Sequence, residues 1–261
     1  MDQLLKIALQ AVQEAGDLMA SNFQNLKNSD IQTKGKNDFV TRVDQEAEAI
    51  ISRIILNEFP RHQILGEESG YTSRKSKFLW VIDPLDGTTN FIQGIPHFAI
   101  SMALLANSKV VFGLIYNPLS EDRFHAIKGQ GAFLNNQPIA VSRKKMLRSA
   151  FGSTGFPFKA PQFLEAYTNT FRSLLSRSQD LRRCGSAALD LAYTACGRYD
   201  FFWESHLLPW DFMAGKLIVE EAGGITSDFQ GRELPLQTSS VLAANPTLYP
   251  KIIKIINEYF I

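Results

Sequence analysis

The stretch Trp80-Val-Ile-Asp83-Pro-Leu-Asp86-Gly-Thr-Thr-Asn90 carries an apolar run out into two carboxylates three residues apart, followed at once by Gly87, Thr88 and Thr89. Leu79 to Ile82 has the length and residue types of a buried strand ending at Asp83. The Gly-Thr-Thr after it suits a helix start, whose backbone N–H groups have no acceptor within the helix. Carboxylates at a strand end collect a divalent cation, and free N–H groups at a helix start bind phosphate. Read alone, the two acids also fit a capped turn before Gly87. An EF-hand loop begun at Asp83 fails, because Leu85, Gly87 and Gly94 stand where oxygen-bearing side chains are needed. A haloacid-dehalogenase phosphatase needs its two aspartates two residues apart, so the spacing excludes it.

More acids flank this stretch. Leu65-Gly-Glu67-Glu68-Ser69 ends a second short apolar run, Pro209-Trp-Asp211 opens an apolar helical pattern, and Lys36-Asn-Asp38-Phe-Val-Thr-Arg-Val-Asp44 adds others. Residues 3 to 22 and Asp44 to Phe59 carry apolar side chains at three- and four-residue spacing, which predicts two amphipathic helices. His97 to Leu105, Val110 to Tyr116 and Arg123 to Ile127 are β-rich, the first two split by the turn Asn107-Ser108, and they predict an antiparallel sheet. The basic segment Ser142 to Arg148 is expected to separate an N-terminal subdomain, 1–142, from a C-terminal one, 143–261. Beyond it helical patterns (Gln162 to Leu175, Ser186 to Cys196, Trp210 to Ala222, Thr247 to Tyr259) alternate with short strands (Ala150 to Ser153, Asp200 to Trp203, Ile225 to Asp228, Val241 to Ala244), as in α/β layering.

Composition narrows the function. The 261 residues hold 27 Lys and Arg against 26 Asp and Glu, a net charge of +1, which gives no bulk attraction to nucleic acid or anionic membrane. The N-terminal helix carries Asp2, Lys6, Glu14 and Asp17 among its apolar residues, unlike a signal peptide or a membrane span. With only Cys184 and Cys196, a disulfide framework is excluded, and a soluble, cytoplasmic protein is expected. His62, His97, His125 and His206 stand apart with no zinc-site spacing, and neither cysteine has a metal-ligand companion in the sequence.

Taken in order, Gly66-Glu67-Glu68-Ser69, Asp83-Pro-Leu-Asp86-Gly-Thr-Thr-Asn90, Gly185-Ser-Ala187 and Pro209-Trp-Asp211-Phe-Met-Ala-Gly215 leading to Glu221-Ala-Gly-Gly224 resemble the inositol monophosphatase family. This is a branch of the lithium-sensitive, magnesium-dependent sugar phosphatases. Arg182-Arg-Cys-Gly-Ser-Ala-Ala-Leu-Asp-Leu-Ala-Tyr193 points to the bacterial SuhB-like group within it. The resemblance implies an α/β (α+β) fold layered αβαβα, a homodimer, and hydrolysis of myo-inositol monophosphate or other sugar phosphates with two or three Mg²⁺ ions per subunit. It matches Glu67, Asp83 and the Leu85 carbonyl to one metal site, and Asp83, Asp86 and Asp211 to another. Four carboxylates about 4 Å apart would repel by about 4 kcal/mol per pair, which only cations make tolerable. Thr88 and Asp44 match the pair that positions the attacking water, with Glu67 also on the waters, and Thr88 fits a plain helix cap as well.

Substrate contacts are implied for Glu67, Leu85, Asp86, Gly87, Thr88, Gly185, Ser186, Ala187, Glu204 and Asp211. Phe201 to Trp203, just before Glu204, either wall the site for a polyol's C–H faces or form a buried strand end. The resemblance places Lys36 in a loop that carries a metal-site residue in some members, and Asp38 where it would touch a third ion. Relatives acting on fructose 1,6-bisphosphate, histidinol phosphate, NADP or 3′-phosphoadenosine phosphate share the metal site and are the alternatives. A role of another class, binding to transcription or RNA-processing machinery, is implied by the SuhB-like group, with Arg182, Arg183 and Arg143 to Arg148 as the surface.

Overall fold

Residues 2–35, 38–72, 76–158 and 160–260 are described by the computed structural model. Lys36 lies outside them, as does the Asp38 side chain. Helices α1 (Asp2–Asn22) and α2 (Arg42–Glu58) fall where the apolar spacing predicts them. They bury Ala8, Ala11, Val12, Ala15 and Met19 of the first and Val43, Ala47, Ile51 and Ile55 of the second. A hairpin of β1 (Ile31–Gly35) and β2 (Asp38–Thr41) joins them.

The larger sheet contains β3 (Gln63–Gly66), β4 (Gly70–Tyr71), β5 (Phe78–Asp86), β6 (Ala99–Ala106), β7 (Lys109–Asn117), β8 (Asp122–Ile127), β9 (Ala132–Leu134) and β10 (Gln137–Ile139), ordered β10-β9-β8-β7-β6-β5-β3-β4. Its pairings are antiparallel, as expected, except that β3 runs parallel to β5. This exception places the C-terminal ends of two strands side by side. Strand β5 also continues past Ile82 to Asp86, with its register broken between Asp83 and Asp86, where Pro84 has no N–H to give the ladder. The Asn107-Ser108 turn holds both residues at positive φ, 48° and 64°, as a two-residue hairpin requires.

After the short helix α3 (Thr88–Ile92), the second sheet is built from β11 (Phe151–Thr154), β12 (Asp180–Arg182), β13 (Phe201–Ser205), β14 (Ile225–Ser227) and β15 (Ser240–Ala244). Its order is β12-β11-β13-β15-β14. Helices α4 (Leu164–Arg177), α5 (Ala187–Ala195), α6 (Pro209–Glu221) and α7 (Tyr249–Ile256) complete the chain.

Strand alternation sorts these elements into layers. Trp80 and Ile82 of β5 pack with α1 and α2, while Val81 between them faces α5 and α6. In β13, Phe202 faces the same α5–α6 layer, whereas Phe201 and Trp203 point the other way, toward α4 and α7. The sequence of layers is therefore α1–α2, large sheet, α5–α6, small sheet, α4–α7, the αβαβα arrangement. Both sheets are covered on both faces, which is why their strands read as nearly continuous apolar runs. No helix among the described residues is long and apolar enough to cross a membrane.

Candidate active site

The parallel ends of β3 and β5 start the site. Gly66 pairs with Ile82, and the Glu67 amide donates to the Ile82 carbonyl at 3.1 Å, so Glu67 and Asp83 leave the sheet as neighbours. Asp83 is buried and accepts from the Leu85 amide at 2.9 Å. Burial and the charges of Glu67, Asp86 and Asp211 hold its carboxyl well above the usual carboxylate range. Asp211 sits in the first turn of α6, where it accepts from the Leu208 amide at 2.6 Å. It is raised well above its ordinary value too, by burial and then by Asp86 and Glu67. Asp211 is thus a first-turn helix acid by geometry, but one whose charge its neighbours oppose. Asp86, pushed up to about 6 by burial, accepts from the Ser186 hydroxyl at 2.5 Å and the Ala188 amide at 2.8 Å at the start of α5.

The Leu85 carbonyl and Asp44 share a neighbour in Thr88, whose hydroxyl lies 3.0 Å from the Leu85 oxygen and 3.0 Å from Asp44 Oδ1. One hydroxyl carries one proton, so it donates to one of them at a time. Asp44 closes a capping box with Thr41 at the start of α2, and burial pushes its carboxyl up to about 6. Gly87 caps α3 at φ +99°, and a Cβ there would come 3.0 Å from the His97 carbonyl, so the tight turn from strand to helix requires glycine.

A cleft of about 180 Å³ opens over this cluster. Glu67, Asp86, Gly185, Ser186, Ala187, Glu204 and Asp211 line it, while Asp83 is buried and not on its wall. Glu204 follows Phe202 by two residues and so shares its inward face; burial and the charge of Asp86 push its carboxyl up to about 8. A Cβ on Gly155 would stand 1.9 Å from the Glu204 carboxyl, so a glycine makes room for it. Of the two readings of Phe201 to Trp203, the buried strand is correct: all three are 0% exposed. The aromatic rings on the cleft are Phe156, Phe158, His206 and Trp210, with the Arg183 guanidinium 5.0 Å over each of the two phenylalanines.

Two positioning residues escaped the sequence reading. Glu48, buried one turn after Asp44, accepts the amides of Glu68 and Ser69 at 2.9 Å each and so fixes the turn that carries Glu67. Asn90 donates to the carbonyls of His97 at 2.7 Å and Cys184 at 2.9 Å, holding the Gly185 loop against α3. The spacing of Glu48 four residues after Asp44, on the face that carries Ala47 and Ile51, marks it as inward-facing but not what it binds. Contrary to expectation, His97 and Cys184 are not without companions: with Asp190 they form a group of possible ligands.

An all-oxygen set of mutually facing carboxylates suits a hard divalent cation, and the raised carboxyl values show what that cation has to relieve. A profile described as the inositol monophosphatase family matches residues 1–260. The Nus factor SuhB of Escherichia coli (strain K12) is 46% identical over 247 residues, 94% of this chain and 92% of that one. Among solved structures, the extragenic suppressor protein suhB of Bartonella henselae superposes with a TM-score of 0.93 at 36% identity, covering 98% and 99% of the two chains. SaIMPase-II solved with inositol monophosphate gives 0.81 at 31%, covering 98% and 94%.

Proposed function

The chain belongs to the inositol monophosphatase family, and from that premise we propose that it is a Mg²⁺-dependent phosphomonoesterase that hydrolyses myo-inositol monophosphate, and other sugar or polyol phosphates, to the alcohol and inorganic phosphate. The observation that carries this reading is the convergence of Glu67, Asp83, Asp86 and Asp211 at one cleft, beside Glu204 and above the Thr88–Asp44 pair. Glu67, Asp83 and the Leu85 carbonyl would hold one cation, and Asp83, Asp86 and Asp211 a second. Bound there, Mg²⁺ supplies charge neutralisation at the phosphoryl group and acidifies water to a usable nucleophile.

The chain's own groups do the rest. With the Leu85 carbonyl taken up by a cation, the Thr88 hydroxyl would donate its hydrogen bond to Asp44, and the Thr88 oxygen would be left to accept one from a water. That orients the water for in-line attack. The N–H groups of Gly87 and Thr88, ahead of the first helical bond from Phe91 to Gly87, hold the phosphate. Asp211 and Asp86 flank the leaving oxygen, and Glu204, Ser186 and Ala187 take the alcohol's hydroxyls against Phe156 and Trp210. Following the family, the protein is taken as a homodimer.

A panel of phosphomonoesters under saturating Mg²⁺ tests the substrate class. Inositol 1-phosphate is expected to turn over with the highest kcat/KM. A preference for fructose 1,6-bisphosphate, histidinol phosphate, NADP or 3′-phosphoadenosine phosphate would reassign the chain within the superfamily.

A second reading is favoured by the name Nus factor carried by the Escherichia coli relative: a binding role toward transcription or RNA-processing machinery, coexisting with catalysis. Its surface would be Arg182, Arg183 and the segment Arg143 to Arg148, in which Lys144 is already paired with Asp200 at 2.9 Å. Capture of such partners at physiological salt, beside turnover by the same preparation, separates the two roles.

A further inference from the structure

We propose that His97, Cys184 and Asp190 form a separate site for a thiophilic divalent cation such as Zn²⁺, set behind the Gly185–Ala187 loop. A ring nitrogen of His97, the Cys184 sulfur and an Asp190 carboxylate oxygen lie within 4.8 Å of one another. They come from three places in the fold: the entry to β6, the loop after β12, and α5. None belongs to the carboxylate cluster.

The second observation is a set of polar atoms with nothing to bind. Asp190 is 1% exposed, and its Oδ1 is buried with no hydrogen-bond partner among the described residues. Nε2 of His97 is equally without one, while the Ser153 hydroxyl stands near enough to Asp190 to lower its carboxyl as a donor without completing a bond of good geometry. Burial, and after it the charges of Glu204 and Asp86, push its carboxyl well up against the smaller opposing effects of Arg183 and Ser153, so its anion is held at a cost. A cation at the centre of the three residues would remove that cost.

The surroundings are built to hold the ligands in place. Asn90 pins the backbones of two of them through the His97 and Cys184 carbonyls. The Tyr199 hydroxyl lies 3.5 Å from the Cys184 sulfur, and the Tyr193 ring meets His97 edge-on at 6.1 Å. An ion centred among three atoms that all lie within 4.8 Å of one another is at most about 2.8 Å from each, so the ligands have to close by no more than about 0.5 Å for sulfur and about 0.7 Å for nitrogen and oxygen to reach zinc bond lengths. Sulfur and imidazole nitrogen select zinc or a similar ion over Mg²⁺. Binding converts the thiol to a thiolate and releases its proton to solvent, and thiolate plus carboxylate balance the ion's two charges. The bound ion would clamp the loop whose Ser186 hydroxyl and Ala188 amide hold Asp86.

Co²⁺ titration of the reduced full-length protein, saturated with Mg²⁺, reads this site without any assay of turnover, so its outcome is independent of the proposed hydrolase activity. A thiolate ligand gives a sulfur-to-cobalt charge-transfer absorption that an all-oxygen cluster cannot give. One equivalent of that absorption is expected, erased by Zn²⁺, absent in Cys184→Ser, and retained in Cys196→Ser and in Asp211→Asn. Asp190→Asn should bind at least about 10-fold more weakly. Folded wild-type protein without the absorption, or Cys184→Ser with it, overturns the site.

Discussion

Helix α2 and the ends of β3, β5 and α6 both bury carboxylates, and they supply them differently. Asp44 and Glu48, 1% and 3% exposed, have oxygens filled by donors: Asp44 takes the Thr41 amide and the Thr88 hydroxyl, and Glu48 takes two backbone amides. Asp83 is as deeply buried, at 2%, yet receives the Leu85 amide and otherwise faces Glu67, Asp86 and Asp211. Acids with both oxygens taken up by N–H and O–H groups are held in place; Asp86, which takes the Ser186 hydroxyl and the Ala188 amide yet also faces other acids, belongs partly to each kind. Acids turned toward one another are a place for a cation, because nothing but positive charge satisfies several of them at once.

The sharpest way to break this contrast is to take a donor from an acid of the first kind and a charge from the second. Thr88→Ala leaves every carboxylate in place, so Mg²⁺ affinity by calorimetry should hold while kcat falls by about 10²- to 10⁴-fold, the usual weight of a positioned general base. Asp211→Asn keeps the shape of a first-turn helix residue and removes the charge, so Mg²⁺ affinity should drop and kcat with it, by about 10²-fold. Loss of metal in the first variant, or retention of metal and rate in the second, would erase the distinction.

Stability against pH sharpens the same contrast. A carboxyl raised in the folded state costs nothing below its unfolded pKa, near 4, and costs more as pH climbs to the folded value. In EDTA, Asp83 and Asp211, held well above the usual range, and Asp86, at about 6, should therefore drain stability from about pH 4 upward. Saturating Mg²⁺ should abolish that loss while leaving the contribution of Asp44, also at about 6, in place. Melting temperatures with and without Mg²⁺ should diverge as pH rises; a gap independent of pH counts against a cation among these acids.

Smaller effects lie at the edges. Glu204→Ala should lower kcat/KM for inositol 1-phosphate by about 10-fold more than for an aryl phosphate, the scale of one or two lost hydrogen bonds. Equal losses would make Glu204 structural. Glu48→Gln keeps one acceptor for two amides and should destabilise the fold by about 1–3 kcal/mol in urea, with Mg²⁺ affinity little changed.

Much of this was legible where a residue's task is set by near neighbours. The apolar spacing marks α1 and α2, and Asn107-Ser108 marks the β6–β7 turn. The words around Glu67, Asp86 and Asp211 contain the acids that line the cleft, with Asp83 buried beneath them. What stayed hidden depends on distant partners or on very short strands. Glu48 acts on amides 20 and 21 residues away, and Asn90 on a carbonyl 94 residues away. β9, β10 and β12 span three residues each, too few for alternation to register. The aromatics before Glu204 could have been placed by period-two reasoning, since alternation puts Phe201 and Trp203 on the face opposite Glu204. Cys184 and Asp190 are six residues apart across a loop and a helix start, and His97 joins them only through the fold.

Phosphate release from inositol 1-phosphate, measured first in excess EDTA and again after Mg²⁺ is restored, tests the central claim most directly. The account predicts no turnover in chelator and full recovery with Mg²⁺. Undiminished turnover in the absence of divalent cation would contradict it, and would return Glu67, Asp83, Asp86 and Asp211 to the status of strained, buried acids without a task.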